Sequence, residues 1–582
     1  MASYRSILLR KAEEFVVSNL FVEAISEQVS QATGLEASVV RDLLETPPNP
    51  EMGDYALPCF TLAKTMHKAP NLIAEELSGQ VETGETITEI RPTGPYLNFF
   101  VSKTDLVSGT MEKVLTQGDD YGRSNVGAKK TVVIDFSSPN IAKPFTIGHL
   151  RTTAIGNALV RIYEALGWKA VAINYLGDWG APHGMNIASY KAWGEKEKVR
   201  KNLPYELFNL YVKFNAEVEN DPSLKESAQE WTRKLESGDE AALTLWEWFR
   251  EETIEDFKRV YRRMGINFTE FSGESLYHQS SSELLERLKT DGLATESEGA
   301  LVVKYEDDLT PAVLQTSHGT IVYLPRDLCA ATDRKARYDF DKMIYVVGAE
   351  QTLHFQQLFR TLKLMGNDWA DTCSHVSFGL INFKGMKMST RKGNVIFLEE
   401  VLDRAVEMTR EIIEEKNPDL VNKEQVAEDV GIGAIIYADL DSRRIRDVVF
   451  DWEEILNFSG ETGPYIQYTH ARYCSVLRKY GQKIPPADVD LTLLSEPEAL
   501  AVVKCIEDFP ARIEQAAEND EPSTISTYLI ELCTVANRFY NAHRVVSEDE
   551  AITRTRVTLV YAIKVVLKNG LGLLGMKAPE KM

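Results

Sequence analysis

Apolar and polar positions change period several times along this chain. Residues 131–136, TVVIDF, are β-branched and predict a buried strand. The turn SSPNIAKPFT follows, and then Ile147, Leu150, Ile155, Ala158, Leu159, Ile162 and Leu166 recur at helical spacing. The segment reads strand, turn, helix. Such a turn leaves backbone N–H groups at a helix N-terminus, a ready site for phosphate. VAINYLGDWG (171–180) again runs from strand into a glycine-containing loop. From about 190 to 295 the pattern is charged and helical with little strand signal, and reads as an insertion. Strand-like runs resume at GALVVKY (299–305), TIVYL (320–324) and KMIYVVG (342–348). This alternation predicts an α/β fold with a doubly wound, Rossmann-type parallel sheet split by the helical insertion.

Toward the N-terminus, ITEIRPTGPYLNFFVS (87–102) alternates like two strands around a Thr-Gly-Pro turn and predicts a small α+β domain. Beyond about residue 400 the pattern is helical almost throughout. The expected division is an α+β domain over 1–125, the split-sheet domain over 126–395, a helical connecting region over 396–455 and an all-helical domain over 456–582. A chain of 582 residues exceeds what one core supports, so several domains are expected.

Composition narrows the function classes. At 44% hydrophobic and 26% charged, the chain is ordinary for a soluble globular protein. Early charges such as Arg5, Arg10 and Lys11 break any secretory signal pattern. The most apolar long stretch, 557–575, carries Lys564 and Lys568, so no membrane span is expected. Six scattered cysteines without a CxxC pair argue for a reducing, cytoplasmic setting and against a cysteine zinc site. A formal net charge of −22 argues against nucleic-acid binding over the whole surface. Local clusters at RKARY (334–338), KGMKMSTRKG (384–393) and SRRIR (442–446) leave binding at patches open, although each alone is more often solvated surface charge.

Two stretches carry candidate chemistry. In FTIGHLR (145–151), Gly148 admits close approach to the backbone and His149 offers a hydrogen bond to a phosphate or ribose oxygen. Packing at a helix start explains the same pair. In FKGMKMSTRKGN (383–394), a basic glycine- and hydroxyl-containing loop suits closure on a polyphosphate, stabilising charge on a leaving group; an exposed basic turn is the plain alternative.

The two stretches lie on opposite halves of the split fold, in the order of the two signatures of class I aminoacyl-tRNA synthetases. With SSPNIAKPFTIGHLR, INYLGDWG, YLPRDLCAA, YVVGAEQTLHFQQL, KGMKMSTRKGN and ETGPYIQYTHAR, the whole chain resembles the arginyl-tRNA synthetases. Two positions depart from the signatures: Thr146 stands for the first histidine and Thr390 for the second lysine. Thr146 donates one hydrogen bond but carries no charge. The resemblance implies that Lys143 supplies the missing charge, with Lys384, Lys387 and Lys392 as alternatives.

The resemblance implies the remaining roles. Catalysis falls to Lys143, Thr146, Gly148, His149, Lys387 and Lys392. A guanidinium is best held by carboxylates in forked geometry; Asp135, Asn140, Tyr323, Asp327 and Gln351 match the arginine-binding positions, although taken singly the acids are more often helix caps and Tyr323 a core residue. ATP is assigned to Gly148, His149, Gly177, Asp178, Gly180, Gly348, His354, Lys387, Met388 and Ser389. Tyr96 and Asn98 match positions used on the tRNA D-loop. Tyr465, Tyr468 and Arg472 match the anticodon-binding helices, with NRFYNAHR (537–544) repeating the aromatic-plus-basic theme. The implied reaction joins arginine to its tRNA through an adenylate. ATP enters with Mg²⁺, no protein-bound zinc is expected, and adenylate formation waits on bound tRNA. A monomer is expected, since no heptad or apolar seam stands out. Two rivals stand beside this reading: another class I synthetase, and an inert tRNA-binding relative suggested by Thr146 and Thr390.

Overall fold

A computed structural model describes residues 20–47, 50–306, 308–383, 395–485 and 489–582. They form two compact units. One unit gathers the described residues of Met1–Ser124, Thr469–Gln515 and Tyr528–Asn569. Its sheet is antiparallel, with β1 (Tyr55–Pro58), β2 (Ile87–Thr93) and β3 (Tyr96–Val101) in the order β1-β3-β2. Within this unit the N-terminal segment packs on helices far along the chain. Tyr121 OH donates to the Ile506 carbonyl at 2.9 Å, and its ring stacks on Phe509.

The other unit holds Asn125–Tyr468, Ala516–Thr527 and Gly570–Met582. Its main sheet contains β4 (Thr131–Asp135), β5 (Lys169–Leu176) and β6 (Glu270–Gly273). A small antiparallel sheet follows in sequence: β7 (Ala294–Ser297), β8 (Ala300–Val303) and β9 (Ala312–Gln315). The chain then returns to the main sheet with β10 (Lys342–Gly348) and β11 (Cys373–Phe378). The five main strands are parallel, in the order β11-β10-β4-β5-β6. β12 (Ile381–Phe383) and β13 (Val448–Phe450) make a separate parallel pair.

Two sequence expectations are corrected here. GALVVKY contributes β8 to the antiparallel sheet, not to the parallel one. TIVYL is not a strand: Tyr323 opens the helix Tyr323–Tyr338. Leu324, Leu328 and Ala331 are buried at helical spacing, and Pro325 is tolerated because it falls in the first turn.

The insertion is helical, running from Ala181–Trp193 through Leu203–Glu217 and Pro222–Glu236 to Glu240–Arg263. Its core of Ile187, Leu203, Leu207, Leu235, Ala242 and Phe249 also takes in Ala142 and Trp179 from the loops after β4 and β5. The 516–527 segment is tied down through Asp520, which receives Tyr163 OH at 2.7 Å and Lys342 Nζ at 2.9 Å.

The helix Leu150–Ala165 is buried along most of its length. Arg151, fully buried, pairs with Asp439 at 2.9 Å and donates from Nη1 to the Arg446 carbonyl at 2.6 Å. Burial raises the Asp439 carboxyl to about 6 against the pull of Arg151. Breaking a buried pair leaves one charge uncompensated, at a cost of about 3–5 kcal/mol. Arg151→Ala is expected to lower stability by about that amount, and Arg151→Met with Asp439→Leu to recover much of it. Urea titrations of the three proteins check this; a single variant as stable as the parent would contradict it.

Candidate active site

β4 leads toward β5 and β6 on one side, while β10 leads to β11 on the other. Their carboxyl ends therefore border the switch point, where ligands bind in open α/β sheets. The turn after β4 is built under strain. Ser137 (φ 73°), Ser138 (φ 43°) and Ala142 (φ 60°) adopt left-handed backbone, at a cost of about 1 kcal/mol or more each. Hydroxyls hold it there. Ser137 N–H donates to Thr152 Oγ1 at 2.9 Å, and Ser137 Oγ meets Thr153 Oγ1 at 2.8 Å and Tyr261 OH at 2.7 Å. Ala142 N–H donates to Thr253 Oγ1 at 3.2 Å. Thr152 Oγ1 in turn donates to the Val346 carbonyl of β10 at 2.6 Å, joining both walls of the crevice.

The turn delivers Lys143, Thr146, Gly148 and His149 together. Thr146 caps the helical turn, and its N–H donates to His149 Nδ1 at 3.2 Å. With Nδ1 accepting, the neutral ring carries its proton on Nε2. Phe145 stacks on the His149 ring at 5.1 Å. Gly148 is exposed, and a Cβ there would meet nothing closer than Thr146 Oγ1 at 3.6 Å, so packing alone does not call for glycine. The chain beyond the basic loop lies against the same turn: Ile147 N–H donates to the Ile396 carbonyl and Leu398 N–H to the Phe145 carbonyl. Lys384, Lys387, Met388, Ser389, Thr390, Arg391 and Lys392 themselves lie outside the described residues.

Asn140 is exposed at the lip of the crevice and bridges to Gly177. A Cβ at Gly177 would come within 2.0 Å of Asn140 Oδ1, so this glycine admits the asparagine. Gly180, at φ 95°, occupies backbone that favours glycine. Gly348 closes β10, and Gln351 is exposed just beyond it. Tyr323 is 62% exposed, against the ordinary expectation of a core tyrosine.

The acids carry the electrostatics, and each already has a partner within the chain. Asp135 is 4% exposed; it pairs with the buried Arg334 at 2.8 Å and accepts from Ser138 Oγ at 3.0 Å. Each of its oxygens thus has a partner within the chain. Burial raises its pKa, opposed by Arg334. Asp178, fully buried, accepts from Arg250 Nε at 2.9 Å and from Ser275 N–H and Oγ at 2.8 Å each. It ties the loop after β5 to the insertion and to the segment after β6. Asp327 is partly open and meets His354 Nε2 at 2.7 Å.

Sequence reasoning missed a fourth acid. Glu274 follows β6 and pairs with Arg326 at 3.2 Å. Burial, and then the charge of Asp327, push its carboxyl up to about 8. Its one legible signal was its place after a strand, in FSGESLY. Beside it, Trp179, Gly180, His278, Tyr323 and Arg326 help line a cavity of about 630 Å³.

Of the basic clusters, RKARY is absorbed by the fold. Arg334 pairs with Asp135, Lys335 with Asp339, and Arg337 with Glu270. Asn98 is 1% exposed and donates to Thr93 Oγ1, so it braces its hairpin and does not face solvent, a further correction. Tyr96 is half-buried against Phe60. Tyr465, Tyr468 and Arg472 share the helix Gly463–Tyr480, with Tyr468 exposed. Arg472 Nη1 donates to Asn537 Oδ1 at 3.0 Å and lies over Tyr540, which brings the second aromatic-basic stretch to the first. Among the described residues no group of three His, Cys, Asp or Glu is placed to hold a metal. Among the described residues no helix is long and apolar enough to cross a membrane.

Three family models match the chain. "Arginyl tRNA synthetase N terminal domain" matches residues 19–101, "tRNA synthetases class I (R), catalytic domain" residues 110–452, and "DALR anticodon binding domain" residues 466–582. The arginine–tRNA ligase of Halothermothrix orenii is 46% identical over 562 residues, covering 96% of this chain and 99% of its own. That of Clostridioides difficile is 45% identical over 567 residues, 97% of this chain and 99% of its own. The structure of the arginyl-tRNA synthetase from Thermus thermophilus superposes with a TM-score of 0.80 at 26% identity, covering 96% of this chain and 99% of that one. A strained turn that presents a signature histidine at the switch point, acids at the strand ends, and likeness along almost the whole length agree: the chain belongs to the arginyl-tRNA synthetases of class I.

Proposed function

We propose that this chain activates L-arginine with ATP and transfers it to an arginine-accepting tRNA. The observation that carries this reading is the crevice itself. Lys143 and His149 follow the strained turn after β4, while Tyr323 and Asp327 lie in the first turns of the helix Tyr323–Tyr338 and Gln351 just beyond β10. The arginine carboxylate attacks the α-phosphorus, pyrophosphate leaves, and the terminal ribose hydroxyl of the tRNA then attacks the adenylate. No side-chain nucleophile is needed. ATP brings its Mg²⁺ as part of the substrate.

Protonation assigns roles within the phosphate lip. Burial, and then the Lys143 charge, lower His149 to about 4, so it is neutral at pH 7 and contributes a hydrogen bond through Nε2, not a charge. Thr146 adds a neutral hydroxyl. Positive charge on the described side of the lip therefore falls to Lys143, with Lys387 and Lys392 of the basic loop as its partners. Asp327 is the open acid for the guanidinium, with Asp135 held behind it by Arg334. Asn140 and Gln351 are placed for the amino-acid head group. Gly148, Gly180, Gly348, Met388 and Ser389 belong to the nucleotide. For the tRNA, the exposed Tyr468 beside Arg472 supports base stacking, with Tyr465 on the same helix and Tyr96 as an N-terminal contact. The proposed division of labour keeps 1–125 and 456–582 on the tRNA. The proposed setting is the cytoplasm, in keeping with six free cysteines, and the proposed state is a monomer.

ATP–pyrophosphate exchange tests the reading. It is expected with arginine and cognate tRNA together, and not with lysine, since lysine lacks the planar fork. Exchange driven by another amino acid overturns it, and none with any overturns the enzyme reading in favour of an inert tRNA binder. His149→Ala is expected to cut exchange by about 10²-fold or more, the usual loss of one transition-state donor.

Asp327→Asn keeps shape and removes charge. Hydrogen bonds to a charged partner contribute about 1.5–3 kcal/mol, so the KM for arginine is expected to rise about 10- to 100-fold with little change for ATP. Steady-state kinetics in both substrates separate the two; weakened ATP use alone would move Asp327 to the nucleotide.

His183 adds a pH dependence. It is 4% exposed, lies against the Gly177 carbonyl, and is lowered from 6.5 to about 4 by burial and then Lys143. A histidine depressed in the folded state stays neutral there while the unfolded chain takes up its proton. Its contribution is full above pH 6.5 and is lost as pH falls from 6.5 toward 4. Thermal midpoints are expected to drop over that window, less steeply in His183→Asn; equal slopes would remove His183 as a cause.

A further inference from the structure

The helical insertion has no part in the reaction as derived so far, yet one of its helices reaches both phosphate-facing elements. On Leu203–Glu217, the Tyr211 ring lies under the Lys143 ammonium, 4.7 Å from centroid to Nζ. Tyr211 is 8% exposed and shares its buried face with Leu207, Phe208 and Phe214. From the same helix, Tyr205 and Phe208 meet the ring of Phe397, just beyond the basic loop, at 4.9 and 5.9 Å. Neighbouring contacts fix the backbone on either side of Lys143. Ala142 N–H is held by Thr253, and Phe145 packs on Phe257 and Tyr261, all three partners belonging to the insertion helix Glu240–Arg263.

A lysine has four rotatable side-chain bonds, and a catalytic charge must be held in place to contribute in the transition state. An aromatic face attracts an ammonium and leaves its N–H groups to other acceptors. Lys143 follows the strained Ala142, so backbone and ring fix it from two sides. We propose that Tyr211 is a positioning residue for arginine activation, its ring holding the Lys143 ammonium beside the phosphate-facing helix start. The proposal rests on the reading that Lys143 supplies the charge absent at Thr390.

The test is a double-mutant cycle in the full-length protein, read by ATP–pyrophosphate exchange with arginine and cognate tRNA. Tyr211→Leu is expected to lower kcat by about 2- to 30-fold, the span of a cation–π contact, with the arginine KM unchanged within about twofold. Tyr211→Phe keeps the ring and is expected to restore kcat to within about twofold. In a Lys143→Ala background, Tyr211→Leu is expected to add less than about twofold, because the charge it positions is gone. Equal losses in both backgrounds, or a Phe variant as poor as Leu, overturn the proposal and leave Tyr211 a packing residue. If Lys143→Ala alone is silent while Lys392→Ala is not, the reading of Lys143 fails first and the proposal with it. Should Tyr211→Leu not fold, Tyr211→Met goes through the same cycle with the same outcomes.

Discussion

Three consecutive-turn residues, Ser137, Ser138 and Ala142, sit in backbone that side-chain-bearing residues avoid, and the site depends on keeping them there. The turn has too few bonds of its own to do this. Hydroxyls converge on it from the helix it launches, through Thr152 and Thr153, and from the insertion, through Tyr261 and Thr253. The returning chain at Ile396–Leu398 closes the third side. Strain that one contact would release is over-determined by several. The histidine, the lysine and the asparagine then share one fixed frame.

Charge is handled by the same economy. Asp135, Asp178 and Glu274 each meet an arginine of the chain, Arg334, Arg250 and Arg326, and Asp327 meets the His354 ring. Burial raises the Asp135, Asp178 and Glu274 carboxyls against these partners, Glu274 to about 8, so at neutral pH Glu274 is held mostly as the neutral acid.

How much of this was legible in the sequence follows from the range over which each signal acts. The strand–turn–helix at 131–166 was visible because its period switches from a β-branched run to helical spacing within a few residues. TIVYL misled because a short β-branched run resembles a strand, while the helical spacing of Leu324, Leu328 and Ala331 begins only at its end. Tyr323, Asp327, Gln351 and Asn140 were singled out through motif spacing, which says nothing of how far each is buried. The partners were invisible. Nothing local tells Asp135 that Arg334 will reach it, or Lys143 that an insertion helix will bring Tyr211. The partners of Asp178 and Asn98 were hidden for the same reason: a polar residue in a motif looks available until the structure supplies the groups that engage it.

Gly177 and Asn140 carry a consequence for how such a chain varies over generations. Their surfaces interpenetrate so closely that a methyl group at 177 would fall within 2.0 Å of the asparagine oxygen. Position 177 therefore does not change while the asparagine stands at 140. A line acquiring alanine at 177 must first have shortened or turned the side chain at 140, and doing so gives up the amide at the crevice lip. Selection therefore sees the two codons, far apart in the gene, as a single locus, and a survey of tolerated substitutions would register them by their correlation before it registered either by its chemistry.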